Sequence, residues 1–215
     1  MVSEHQECTH EPILQSHRQP HRQPHGRDHR RGCHLRQRPR RAALRHRRRL
    51  DDRPQAAGGF AVDVLDPTDA DVARGIDGKD AAARAALRAR IARADAYVVV
   101  SPEYNHSFPA PLKALIDSTK QEWEAKPVAF VSYGGVSGGL RAVEHLRQVF
   151  AELHAVGTRD GVAFANASGQ FDGDGALRNP EGAEKAAATM LARLSWWANA
   201  LRQAREITPY AKAVA

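Results

Sequence analysis

Apolar positions along this chain follow two periods, and the two alternate from residue 60 to residue 201. Tyr97-Val98-Val99-Val100 is an unbroken apolar run stopped by Ser101-Pro102. Such a run is buried on both faces, which predicts a parallel strand covered by helices. Pro127-Val128-Ala129-Phe130-Val131-Ser132 reads the same way, and Gly161-Val162-Ala163-Phe164 gives a short last strand. Residues 60–65 alternate like a half-buried strand and close on Asp66-Pro67. Between these runs the period becomes helical. Asp80 stands where it can cap a helix through Leu87 and Ile91 to Ala94, and Pro109 opens a second helix reaching Lys120. Val143, Leu146, Val149, Phe150 and Leu153 form one face of a helix over residues 140–154, and Pro180 starts a final helix carrying Met190, Leu191, Leu194, Trp197 and Leu201. Alternating strand and helix predict an α/β fold with a doubly wound parallel sheet and right-handed crossovers.

Composition divides the chain. At 42% hydrophobic, 215 residues suffice for one sizeable core, here residues 58–205 with 206–215 as a tail. The net charge of +7 is not spread evenly: residues 1–57 hold 14 arginines and 6 acidic residues, whereas the remainder is nearly neutral. Residues 1–57 also hold 8 of the 11 histidines and both cysteines, Cys8 and Cys33. This segment has neither apolar period and almost no β-branched or aromatic residues, the composition of a chain that cannot bury enough surface to order itself. Three readings stay open. It is a disordered basic tail, or an arm that places arginines on nucleic-acid phosphates, although no aromatic interleaving or recognisable module supports the arm. The third is a stretch outside the natural reading frame, because a gene rich in G and C read one base out of register yields Arg, His, Pro and Gln. The Cys8–His10 and Cys33–His34 pairs lack a second pair at finger spacing, so no metal is expected. Without an apolar run of membrane length or a signal-peptide core, the cytoplasm is the expected compartment.

Two loops fall at the carboxyl ends of two strands, where ligands bind in open α/β sheets. The first, residues 101–108, offers a carboxylate, an aromatic ring, an amide and hydroxyls from Glu103, Tyr104, Asn105 and Ser107. The second runs Tyr133-Gly134-Gly135-Val136-Ser137-Gly138-Gly139, whose bare backbone lets a ligand approach and supplies N–H donors. Together they suit a flat polar ring. Gly135-Val136-Ser137-Gly138-Gly139 also satisfies the Gly-x-Ser-x-Gly elbow of hydrolases. That reading requires an acid and then a histidine after the serine, but the last histidine is His154, ahead of Asp160, Asp172 and Asp174.

Ser101-Pro102-Glu103-Tyr104-Asn105-His106-Ser107, then Pro109-Ala110-Pro111-Leu112-Lys113 and Ile116-Asp117, followed by Ser132-Tyr133-Gly134-Gly135-Val136-Ser137-Gly138-Gly139, resemble the NADPH-dependent FMN reductase family of flavodoxin-like flavoproteins over about residues 60–201. The resemblance implies bound FMN, NADPH or NADH as reductant, and a flavin, quinone or similar small molecule as electron acceptor. Pro102, Glu103, Tyr104 and Asn105 would wrap one edge of the isoalloxazine, and Tyr133, Gly134, Gly135 and Gly138 would hold its pyrimidine side. A homodimer or homotetramer is implied, with Ser107 and the following helix near the subunit contact. Hydride transfer to a flavin needs stacking, water exclusion and hydrogen bonds rather than a protein nucleophile, so no catalytic side chain is expected. His106 is a candidate proton donor, and Trp123, Trp196 and Trp197 are expected as core or interface aromatics. Two departures stand out. Ala114 replaces the family's usual Asn, and residues 1–57 lack the first strand and the Gly-Ser-x-Arg type loop that holds the FMN phosphate. The competing class is a flavin-free remnant or interaction protein with a basic tail.

Overall fold

The computed structural model describes residues 55–56 and 60–213. The readings of the Arg/His-rich segment and of the missing phosphate loop fall almost entirely outside these residues. Strand β1 (Gln55–Ala56) pairs antiparallel with β2 (Phe60–Ala61). The strand expected over 60–65 therefore stops after two residues. In a doubly wound sheet of order 2-1-3-4-5 the second strand lies at the edge beside the first; among the described residues β2 pairs only with the antiparallel β1 and the parallel sheet is β3-β4-β5. Asp63 is fixed instead by side chains: Arg90 donates to it at 2.7 and 3.1 Å, and Arg93 at 3.3 Å.

Helix α1 (Ala70–Asp77) was not legible in the sequence, being short and carrying Gly75 in its interior. That glycine admits α2 (Ala81–Arg93), since a Cβ there would lie 2.9 Å from the Leu87 Cβ. Asp80 caps α2 as expected, accepting from the Ala83 N–H at 3.0 Å. Then follow β3 (Tyr97–Pro102), α3 (Ala110–Asp117), β4 (Pro127–Tyr133), α4 (Leu140–Glu152), β5 (Val156–Phe164) and α5 (Pro180–Ile207). The last three strands form a parallel sheet in the order β3-β4-β5.

Strand β5 extends well beyond the expected 161–164. Its first half, Val156-Gly157-Thr158-Arg159-Asp160, lacks an apolar run because it forms an edge with alternating burial. The Thr158 hydroxyl is buried and donates to the Val128 carbonyl at 3.3 Å. Asp160 receives Arg193 from α5 at 2.6 and 2.7 Å.

Helices cover both faces of the central strand. On one, Leu87, Ile91, Ile116, Leu146 and Phe150 enclose Val128 and Phe130. On the other, Met190 and Leu194 of α5 close over Ala129 and Val162. Trp123 belongs to the first core, its indole N–H donating to the Ile116 carbonyl at 3.1 Å and its ring meeting Phe150 edge-on at 5.6 Å. Trp196 and Trp197 instead meet each other at 5.1 Å on the exposed side of α5. Where α5 ends its cover, Val98 and Val100 of β3 stand exposed, at 42% and 57%.

A buried lysine ties the lower end of the sheet together. The Lys126 amine donates to the Ala92 carbonyl at 2.7 Å and the Ile91 carbonyl at 3.2 Å, satisfying acceptors at the end of α2. Burial lowers its pKa to about 8 and pushes the neighbouring Tyr97 hydroxyl up.

At the other end, β4 turns into α4 through two left-handed glycines, Gly138 at φ 61° and Gly139 at φ 86°. A Cβ on Gly139 would lie 2.7 Å from the Ser132 Cβ and 2.9 Å from the Tyr133 nitrogen. A Cβ on Gly135 would meet nothing within 4 Å.

Two stability predictions follow from this packing. Phe150→Ala removes a fully buried ring and should lower the urea-unfolding free energy by about 3–5 kcal/mol. Gly139→Ala should cost at least about 1–3 kcal/mol from backbone strain alone, while Gly135→Ala should stay within about 0.5 kcal/mol of the parent. Equal effects of the two glycine changes would contradict the assigned roles.

Candidate functional site

The register of the sheet builds the site. Pro102 pairs with Tyr133 and Tyr133 with Phe164, so the three parallel strands end level. The ladder then continues one step into the loops. The Glu103 N–H donates to the Tyr133 carbonyl at 2.9 Å and the Gly134 N–H to the Phe164 carbonyl at 3.2 Å. Three loops leave the sheet side by side as a result.

The first loop is tighter than its polar sequence suggests. Tyr104 and Ser107 exchange both main-chain hydrogen bonds, N–H to carbonyl, at 2.8 and 3.1 Å. Asn105 and His106 between them have φ of 49° and 73°, the pattern of a two-residue hairpin with both central residues left-handed. Asparagine and histidine tolerate this region better than most residues. The turn presents the half-exposed Tyr104 ring and the Asn105 amide at its tip.

The second loop uses its glycines for different purposes. Gly134 and Gly138 are crowded: a Cβ would lie 3.2 Å from the Gly139 nitrogen and 3.1 Å from the Ala165 nitrogen, respectively. Gly135 alone among the proposed glycines faces open space. The main-chain N–H groups of Gly135, Val136 and Ser137 have no acceptor among the described residues. They are available to the carbonyls and ring nitrogens of a flat ligand.

A third wall escaped the sequence reading, which assigned no role to residues 166–179. Asn166, at φ 48°, donates its N–H to the Gly135 carbonyl at 2.8 Å, and Ala167 donates to the Gly134 carbonyl at 3.1 Å. The loop after β5 thus buttresses the glycine loop from behind. Only three-dimensional pairing reveals it.

Two α4 side chains close the site from beneath, and neither was singled out in the sequence. Arg141 grips the Glu103 carboxylate, with the guanidinium at 2.6 Å and the main-chain N–H at 3.1 Å. One turn later, His145 Nδ1 lies 2.9 Å from the Ser107 hydroxyl. Their i, i+4 spacing places both on one side of the helix, but the sequence does not say what that side faces. Burial alone would raise the Glu103 pKa; the hydrogen bond from Ser137 and the charge and N–H of Arg141 outweigh it and hold the carboxyl below the usual range.

These contacts also bear on the hydrolase motif. The Ser137 hydroxyl accepts from the Gly139 N–H at 3.4 Å and meets no histidine among the described residues, and His145 is bonded to Ser107. Among the described residues no group of three or more His, Cys, Asp or Glu is arranged to hold a metal. Cys8, His10, Cys33 and His34 lie outside those residues. No helix among the described residues is long and apolar enough to cross a membrane.

The family model described as NADPH-dependent FMN reductase matches residues 37–169. An NAD(P)H:quinone oxidoreductase of Solanum tuberosum is 41% identical over 115 residues, covering 50% of this chain and 58% of that protein. An NADPH:quinone oxidoreductase of Arabidopsis thaliana is 45% identical over 76 residues, 33% of this chain and 39% of that one. The chain therefore spans about half the length, or less, of these curated relatives. Among solved structures, a flavoenzyme NAD(P)H:(acceptor) oxidoreductase from Paracoccus denitrificans superposes with a TM-score of 0.43 at 21% identity, covering 65% of this chain and 76% of that one. With the family model matching more than half of its residues, the chain belongs to the NADPH-dependent FMN reductase family.

Proposed function

We propose that this protein is an NAD(P)H-dependent oxidoreductase that holds FMN in the crevice between the first two loops and reduces a quinone or a second flavin. One observation carries this reading: three main-chain N–H groups without an acceptor among the described residues, and the open face of Gly135, stand beside a tyrosine-and-amide turn. That is the donor set and shape a flat, carbonyl-bearing ring requires. Bound FMN would supply a carrier for two electrons at a time.

Each site residue then has a distinct task. Tyr104 and Asn105 offer a ring face and an amide from the turn, and Pro102 ends the strand so that the turn leaves the sheet. Tyr133 and Gly134 carry the glycine loop off β4, Gly138 lets it pack on Ala165, and Gly135 admits the ligand. Glu103 works from behind, its carboxylate being taken by the guanidinium and main-chain N–H of Arg141. His106, at the tip of the turn, is the candidate to pass a proton to the reduced acceptor. For a quinone, one NAD(P)H is oxidised to NAD(P)⁺ and one quinone becomes a hydroquinone, gaining the two electrons and hydrogen of the hydride together with one solvent proton. Association as a homodimer or homotetramer, with Ser107 and α3 near the contact, belongs to the same reading.

The test is a paired titration of the full chain with FMN and with riboflavin, followed by anaerobic addition of NADPH and a benzoquinone. Flavin binding and NADPH-dependent quinone reduction are expected. A preference for FMN over riboflavin of about a hundredfold would reveal charge-assisted bonds to the phosphate made outside the described residues, whereas near-equal affinities would show that the ring alone is held. Failure to bind either flavin would overturn the proposal.

A further inference from the structure

The Glu103–Arg141 pair, like Arg88–Glu122, buries its carboxylate, whereas most ion pairs of the described residues lie with both partners at the surface. The Glu103 side chain is only 5% exposed, whereas Arg141 is half-exposed. Two donors of one α4 residue converge on this one carboxylate: the Arg141 guanidinium at 2.6 Å and the Arg141 main-chain N–H at 3.1 Å. The backbone of Glu103 is meanwhile bonded to Tyr133, the first residue of the glycine loop. One residue of the first loop is thereby fastened through its backbone to the second loop and through its carboxylate to the helix that follows that loop.

A buried carboxylate cannot give up such partners without moving to water or taking a proton. Either movement would pull on Tyr104, the next residue and the first of the turn. His145 anchors Ser107 on the far side of the same turn, so the hairpin is held at both shoulders from one helix face.

We infer that Arg141 is the positioning residue of the crevice: acting through Glu103, it sets the spacing between the tyrosine turn and the glycine loop without touching the ligand. Arginine suits this role because it adds a directional guanidinium contact to the helix-start N–H that reaches the same carboxylate. Lysine at this position would keep the charge and lose the planar fork. Among the described residues Arg141 is the one charged group acting on Glu103. Below a pH of about 4.5, the unfolded-state value of a glutamate, the energy stored in the pair should decline as the carboxyl takes a proton, and it should be fully present above that.

The affinity part of the test rests on the flavin reading above, so a second readout uses flavin-free protein. The half-exposed Tyr104 is a chymotrypsin site within the turn. Cleavage after Tyr104 should be several-fold faster in Arg141→Ala than in the parent, with Arg141→Lys in between. FMN affinity should fall about tenfold or more in Arg141→Ala and recover substantially in Arg141→Lys. The double variant Arg141→Ala with Glu103→Gln should lose no more than the worse single variant, as coupled residues do. Glu103→Gln should also flatten the loss of affinity on acidification. Unchanged cleavage at Tyr104 in Arg141→Ala would overturn the inference, as would additive effects of the two substitutions. If the parent binds no flavin, the proteolysis alone decides for or against Arg141.

Discussion

The level ending of three parallel strands is the constraint on which the rest depends. Once Pro102, Tyr133 and Phe164 are paired in register, the chain must leave the sheet three times within a few residues of the same line. Loops leaving together can be hydrogen-bonded to one another, and here they are, from Glu103 to Tyr133 and from Asn166 to Gly135. A shift of β4 by one residue would exchange the two faces of its side chains and separate the turn from the glycine loop. The core enforces the register by size, because Val128 and Phe130 fill the face made by α2, α3 and α4 while the small Ala129 meets α5 on the other.

The sheet strands and the larger helices were legible because their signals are local. Valine runs, a capping Asp80 and the apolar face of α4 each declare themselves within a dozen residues. Helix α1 was not, since eight residues with an internal glycine look like a loop until Gly75 is seen making room for Leu87. The first half of β5 was hidden for a different reason. Its polar residues are satisfied by partners far away in the chain, Thr158 by Val128 and Asp160 by Arg193. The short strand at 60–61 reflects the converse, an alternating pattern whose pairing among the described residues is limited to the two residues of β1.

At the site, residue types announced chemistry, but only coordinates assigned tasks. Four glycines in one loop look equivalent in sequence. In space Gly138 and Gly139 are required by left-handed backbones and close neighbours and Gly134 by packing, while Gly135 meets nothing within 4 Å. Glu103 reads as a ligand-facing carboxylate, yet both its oxygens are taken by Arg141. Arg141 and His145 could not be singled out in advance, because a charged residue on a helix is ordinarily just solvated surface and only the position of the first loop gives these two something to hold.

Hydrogen exchange of the full chain, with and without saturating FMN, tests the central claim most directly. The account predicts that added protection concentrates in residues 101–108 and 133–139, with a smaller effect at 165–170. Protection confined to another surface, such as the groove between His154 and Tyr210 at the opposite end of the sheet, or flavin binding that leaves both loops exchanging as before, would contradict it.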